Sequence, residues 1–589
     1  MNDEFTEEYL EDKRNPRWVA KPTVAYLWAR TVTCKNCRAT VPLLKTRWLC
    51  KKASRRVLLT MEPNADRTGV VFGVENNIPV KGGNAAQKRE HDKREGGGTM
   101  SRAGAICPCC KTIMTVQDIQ VEATANRWGD TLIATVVDGQ KGKEYRSATS
   151  VEVTAALEAS ERERSMALPF GSLNEPIDPA RPSPNARGMS GLTRYGIDTF
   201  QKVFNTRQRV ALSTFTLLTS RLEADLAKEC PSDWAAAIRH ELALAIDRVA
   251  DRNSTLCHWD SGYQKIAGTF QRYALRVNWD YCEVNPFAET TGNYYSAVEW
   301  IANVVQHVLQ LNSSAPMPRA YRTSATQLVG CDGQFDLILT DPPYYDAIPY
   351  ADVSDFFYVW LRRAVGGSFP DEFSTALVAK DEELVQHAGR FGGDNRRAKQ
   401  FYEDGMALAF SAAREKLRDD GLFVVVFAHK HPDAWETLAS SMIRSGFMVD
   451  ASWPIETEMP NKAAGGARLA SSVWLVCKKR PATARPGWDN NVLEEMKANI
   501  AVRLREYWDA GIRGPDFVWA ATGPAMEAYS KHPVVRKANE ANATMGVGEF
   551  LNHVRRMVVD YVVGQVLTGE QGSDLAAADR LDEVTAYYL

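Results

Sequence analysis

The stretch from Phe335 to Thr340 reads FDLILT and runs straight into Asp341-Pro342-Pro343-Tyr344. A short apolar run ended by a proline pair predicts a buried strand that stops at a rigid turn. Proline fixes φ and removes the N–H that would continue a ladder. Residues 397–417 then repeat apolar side chains every three or four positions, the spacing of an amphipathic helix. Asp419-Asp420-Gly421 predicts a turn, and LFVVVFA (422–428) a second buried strand. WETLASSMIRSG predicts a helix ending at Gly446, and FMVDASWPI and SSVWLVCKK two adjacent strands with an antiparallel edge. Strands alternating with helices define an α/β fold, here the second half of a doubly wound, Rossmann-like sheet.

Open sheets of this kind place ligands beyond the C-terminal ends of their strands. The exocyclic amino group of adenine or cytosine is a weak nucleophile, because its lone pair is delocalised into the ring. Acceptors that take its hydrogens rehybridise the nitrogen toward an electrophile. Asp341 and a backbone carbonyl of the Pro342-Pro343 turn are two such acceptors, pre-aimed by the prolines. Tyr344 offers a ring to stack on a base swung out of a duplex. Asp341, Pro342, Pro343 and Tyr344 are therefore the candidate catalytic set. A bare turn after a core strand is the plainer alternative; the strand context and the aromatic stretch YDAIPYADVSDFFYVWLRR (345–363) weigh against it. Part of that aromatic cluster is expected as helix core, with Asp346, Tyr350 and Asp355 as candidates for a pocket rim. His429 and His431 are expected to make local hydrogen bonds.

The string DPPYYDAIPYADVSDFFYVWLRR resembles the signature of the large prokaryotic adenine-specific DNA methylases that carry a zinc ribbon, a family long described as a domain of unknown function. AYLWARTVTCKNC (25–37) resembles that family's first zinc knuckle, LASSVWLVCKKR (469–480) its last sheet strand, Pro454 to Asn461 the segment before it, and GIRGPDFVWAATGPAMEAYS (511–530) its helical tail. The resemblance covers nearly the whole chain. It implies a class I methyltransferase sheet, S-adenosylmethionine as methyl donor, DNA as substrate with N6 of adenine as the acceptor, and a place in restriction or phage defence.

A methyltransferase of this kind also needs a glycine-rich loop after its first strand, so that backbone can approach the cofactor. In the resembling family that loop lies upstream of the zinc ribbon, and none is found before the ribbon here. Two expectations follow. In the favoured one, a separately encoded chain supplies the missing strands and the loop. In the other, Asn285, Phe287 and Gly292 of NPFAETTG serve as the cofactor turn, following a strand-like stretch (276–284) and preceding a helical one (294–309), with one glycine where two or three are usual. A scaffold subunit that keeps the zinc and binds nucleic acid without catalysis is the competing function, and RNA the competing substrate.

Cys34-Lys-Asn-Cys37 and Cys107-Pro-Cys-Cys110 are two C-x-x-C knuckles. Four thiolates satisfy tetrahedral zinc and leave no open position, so Cys34, Cys37, Cys107 and Cys110 predict a structural zinc. Cys109 is the alternative partner within the second knuckle; the remaining cysteines read as core. The basic segment from Lys81 (KGGNAAQKREHDKREGGG) is expected to be a mobile loop, either merely solvated or with Lys88, Arg89, Lys93 and Arg94 on phosphates; Arg47, Lys51, Lys52, Arg55 and Arg56 form a denser basic patch and the better phosphate candidate. Net charge is −2, so a nucleic-acid surface has to be local. An odd count of 11 cysteines, no signal-peptide core and no apolar run of membrane length place the expected protein in the cytoplasm. The expected layout is a zinc-ribbon region at 1–150, a Pro/Ser/Asn-rich linker at 151–190, a mainly helical region at 191–330 leading into the sheet, a methyltransferase catalytic subdomain at 331–480, and a helical tail at 481–589. Within the helical region, Ser232 is expected as an N-cap.

Overall fold

The computed structural model describes residues 5–8, 17–179, 190–270, 274–311, 316, 318–331, 333–345, 348–429, 431–456, 471–512 and 515–568. The chain is mixed α/β and divides into two compact units, one of residues 1–317 with 350–381, the other of 318–349 with 382–589.

In the first unit the strand Thr23–Thr33 is the spine of an antiparallel sheet. Gly129–Gly139 pairs on one side of it, and Asp280–Val284 and Thr40–Leu43 on the other. A second antiparallel sheet runs Trp48–Lys52, Arg55–Pro63, Val70–Asn76. The helices Thr206–Leu226, Ser232–Arg252 and Tyr350–Val365 share a core in which Phe356 and Trp360, four positions apart on one helical face, meet Phe204 at 5.4 Å each. Asp355, Phe356 and Trp360 are thus interior side chains, and Asp355 is held by Lys380 Nζ at 2.7 Å.

Two local expectations for this unit change. The basic segment is not a loop: Ala85–Glu95 is a helix, opened by a capping box in which Asn84 and Gln87 exchange hydrogen bonds. Its Asp92 is buried against Arg56, and Lys51 Nζ stands 3.1 Å from the same carboxylate, so the segment docks through charge instead of apolar surface. Ser232 is not an N-cap but the first helical residue. Pro231 precedes it in extended conformation, and its carbonyl accepts from Ala235 N at 3.0 Å.

In the second unit four strands lie in the order Phe335–Thr340, Leu417–Phe427, Ser471–Lys479, Phe447–Glu456. The first pair is parallel and the other two antiparallel. The helices Asn395–Lys416 and Pro432–Arg444 supply Tyr402, Phe410, Trp435 and Leu438 to a core with Phe423, Val425 and Phe427. The helices Asp489–Asp509, Pro515–Ser530 and Val547–Thr568 follow. The expected turn at Asp419-Asp420-Gly421 is instead part of the Leu417–Phe427 strand, where the parallel register slips between Phe335 and Leu337. A larger correction concerns FDLILT. It is a strand, but it stands at the sheet edge among the described residues, and one of its faces is uncovered, with Phe335, Leu337 and Leu339 exposed.

Candidate active site and metal centre

The parallel strand ends at Thr340, and residues 341–345 turn away from the sheet. Asp341 is exposed and makes no hydrogen bond or ion pair among the described residues. Pro342 is buried and anchors the turn. The two proline carbonyls have different surroundings. That of Pro343 accepts from Tyr402 Oη at 2.6 Å and from Tyr345 N at 3.0 Å. Among the described residues, no donor reaches the carbonyl of Pro342. Tyr345 sits at φ 58°, a left-handed conformation uncommon for a bulky side chain. Two hydrogen bonds fix it there: Gln386 N donates to its carbonyl at 3.1 Å, and its own N–H reaches Tyr402 Oη at 3.3 Å. Edge-on ring contact with Tyr402 at 5.4 Å completes the clamp.

Tyr344 is half-buried, with its ring edge-on to Phe427 at 5.3 Å. His429 lies beyond the next strand; its Nδ1 accepts from His431 N at 3.0 Å and its carbonyl takes Trp435 Nε1 at 2.9 Å. Sequence reasoning missed Tyr402. It gives no local signal, since a tyrosine on a helical face reads as core. Of the rim candidates, Asp346 lies outside the described residues. Tyr350 begins the helix Tyr350–Val365 of the first unit and is exposed, while Asp355 lies buried within that helix.

Asn285, Phe287 and Gly292 do occupy a strand–turn–helix connection, between Asp280–Val284 and Tyr294–Leu311. The strand belongs to the antiparallel sheet, however, and not to the sheet that carries Asp341. Asn285 Nδ2 donates to Thr23 O at 2.8 Å and its Oδ1 accepts from Phe287 N at 3.1 Å, so its amide is occupied in holding the turn. The Phe287 ring is exposed, 5.8 Å from Phe215. Gly292 takes φ 97°, and a Cβ there would meet Arg252 at 2.9 Å.

The four predicted cysteines do converge: the sulfurs of Cys34, Cys37, Cys107 and Cys110 all lie within 4.8 Å of one another. Cys34–Cys110 and Cys37–Cys107 are each 3.6 Å apart. Tetrahedral zinc with bonds of about 2.3 Å needs sulfurs about 3.8 Å apart, so the cluster fits that ion. The two knuckles repeat one backbone design. Arg38 N donates to Cys34 O at 3.1 Å and Lys111 N to Cys107 O at 2.9 Å, with Arg38 and Lys111 both left-handed. Hydrogen bonds from Thr112 draw the Cys110 thiol down to about 5, whereas burial pushes Cys107 up to about 12. A divalent cation held by Cys34, Cys37, Cys107 and Cys110 would favour thiolate at all four positions. Cys109 instead turns to Gly69 O.

Of the expected basic patch, Arg47 donates to the carbonyls of Gly97, Leu59 and Glu95, while Arg56 and Lys51 engage Asp92. Those three cations hold the Ala85–Glu95 helix in place. Among the described residues no helix is long and apolar enough to cross a membrane. Comparison with protein families, with curated proteins and with solved structures finds no match to this chain.

Proposed function

We propose that this chain is the base-binding, catalytic part of an S-adenosylmethionine-dependent DNA amino-methyltransferase acting on N6 of adenine. The observation that carries the reading is the pair of acceptors at the end of the parallel strand. Neither the Asp341 carboxylate nor the carbonyl of Pro342, its neighbour in sequence, has a donor among the described residues, whereas the Pro343 carbonyl is already taken by Tyr402 and Tyr345. An amino group has two hydrogens to give and needs two acceptors to be held with its lone pair directed outward. Tyr344, braced by Phe427, is the stacking partner for an extruded base. The strand order, one parallel pair followed by two antiparallel pairs, supports the comparison with the latter half of a class I methyltransferase sheet.

Among the described residues no glycine-rich turn follows a parallel strand, and the Asn285 turn is built on the other sheet. A cofactor loop supplied by a separately encoded chain is part of the proposal. This chain's residues orient the amino group and stack the base. The test is transfer of labelled methyl from S-adenosylmethionine to DNA by the full chain, with and without the polypeptide encoded beside it, read as methylated nucleosides. N6-methyladenine that disappears in Asp341→Ala is the expected result. DNA binding without transfer in every combination would leave a zinc-bearing scaffold as the function. Transfer to RNA alone would change the substrate.

A further inference from the structure

One face of the strand Thr23–Thr33 sends Ala25, Leu27 and Ala29 into an apolar core. Side chains alternate along a strand, so Tyr26, Trp28 and Arg30 stand on the opposite face. Cross-strand pairing sets Glu283 and Tyr281 opposite Tyr26 and Trp28, and Asp130 opposite Arg30. This second face is aromatic and charged. Trp28 and Tyr281 stack with ring centres 6.2 Å apart. The Arg30 guanidinium lies 4.5 Å from the Trp128 ring centre and 5.6 Å from that of Tyr281. Much of the charge is committed to the fold. Glu283 takes Trp28 Nε1 and Arg207 Nε at 2.8 Å each. Arg30 donates from Nε to Asn278 O at 3.0 Å and from Nη2 to Thr255 Oγ1 at 2.8 Å. Its Nη1, by contrast, meets Asp130 Oδ1 at 3.9 Å, beyond hydrogen-bond reach. Arg30, Asp130, Trp28 and Tyr281 are also walls of a cavity of about 290 Å³, every wall of which comes from the first compact unit. Packed interiors hold few voids larger than a water molecule. The volume is close to the lower end for small-molecule sites, about 300 Å³.

We propose that this cavity binds a guanine nucleotide, with the base edge on Arg30 and Asp130 and the phosphate on Lys202 and Arg207. The gap between Arg30 and Asp130 selects the base. A ligand entering it gives an acceptor to Arg30 Nη1 and, next to that acceptor, a donor to the Asp130 carboxylate. Each of the common bases has one acceptor beside one donor. Only guanine follows its acceptor, O6, with two successive donors, N1–H and N2–H, and so reaches Arg30 and both carboxylate oxygens. Burial raises the Asp130 carboxyl, against the pull of Arg30 and a hydrogen bond from the Tyr281 hydroxyl; donors from the ligand favour its charged form. Trp28 and Tyr281 give a planar ring an aromatic wall. The phosphate answers the charge of the lining, in which Arg30, Lys202, Arg207 and Arg209 face a single carboxylate, Asp130. A free nucleotide and a guanosine within a strand present the same edge and phosphate. The site is independent of the methyl-transfer reading, because the proline turn belongs to the other unit.

The test is isothermal titration of the full chain with GMP, AMP, CMP and UMP, and with a single-stranded DNA pentamer holding one guanine. The expected result is GMP bound at least tenfold more tightly than the other three mononucleotides. A pentamer bound more tightly than GMP names a strand as the source, and the reverse names the free nucleotide. Asp130→Asn removes one of the two acceptors, so GMP affinity falls at least tenfold and the preference for guanine is lost. Leu157→Trp, on the helix Ser150–Arg164 at the cavity wall, fills the space without altering either charged group and abolishes binding. Melting curves of both variants check that the fold is kept. Equal affinity for the four mononucleotides, or GMP binding that persists in both folded variants, overturns the proposal. So does the absence of binding to the unaltered chain, which leaves the cavity to water.

Discussion

Asp341 is exposed, so replacing it tests the proposed chemistry apart from folding. Asp341→Asn is expected to lower methyl transfer about 100- to 1000-fold, the range for losing one preorganised polar contact to the reacting group, while stability stays within about 0.5 kcal/mol by urea titration. Tyr402→Phe should behave differently. It removes the hydroxyl that donates to Pro343 O and accepts from Tyr345 N. It should therefore cost about 1–3 kcal/mol of stability and weaken base binding together. Asp355 makes a pH prediction. Burial, only partly offset by Lys380, raises its carboxyl to about 6. A raised acid favours the folded state most below its unfolded value near 4, and that contribution is lost as pH rises through about 6. Melting curves of wild type and Asp355→Asn over that window should differ in slope, the wild type losing more on going up in pH. Asp341 to Tyr344 were legible in the sequence because proline chemistry is local. Tyr402 was not: it stands 59 positions from the carbonyl it holds.

Among the elements, the two cysteine knuckles were the most legible, because two C-x-x-C pairs carry their meaning in spacing alone. Their convergence across 69 intervening residues is a tertiary fact: the antiparallel pairing of Gly104–Ile106 with Ile113–Thr115 presents the second pair to the first. Zinc analysis by native mass spectrometry should find one ion per chain, lost in Cys107→Ser. The helix Ala85–Glu95 was not legible. Its polar composition reads as solvated coil, and only the docking of Asp92 on Arg56 rewards helix formation. Asp92→Ala should lower stability by about 3 kcal/mol, because it leaves the largely buried Arg56 guanidinium without its carboxylate. FDLILT was legible as a strand and misread as to burial, since apolar content reports what a strand needs and not whether this chain supplies it.

At the scale of the molecule the two compact units hold different parts of the candidate chemistry, the cysteine cluster in one and the proline turn in the other. Differential calorimetry should therefore show two transitions, and a chelator should lower only the one belonging to the unit that contains Cys34. The sequence by itself determined the elements whose causes are local: the proline turn, the knuckles, and the helices and strands whose apolar period matches their geometry. Only the tertiary structure decided which carbonyl of the turn Tyr402 takes, that the Asn285 turn lies on another sheet, that most of a basic patch is engaged within the protein, and that an apolar strand stands at a sheet edge among the described residues. Those outcomes depend on which distant groups compete for the same hydrogen bond, charge or surface, and that competition is settled only when the chain has folded.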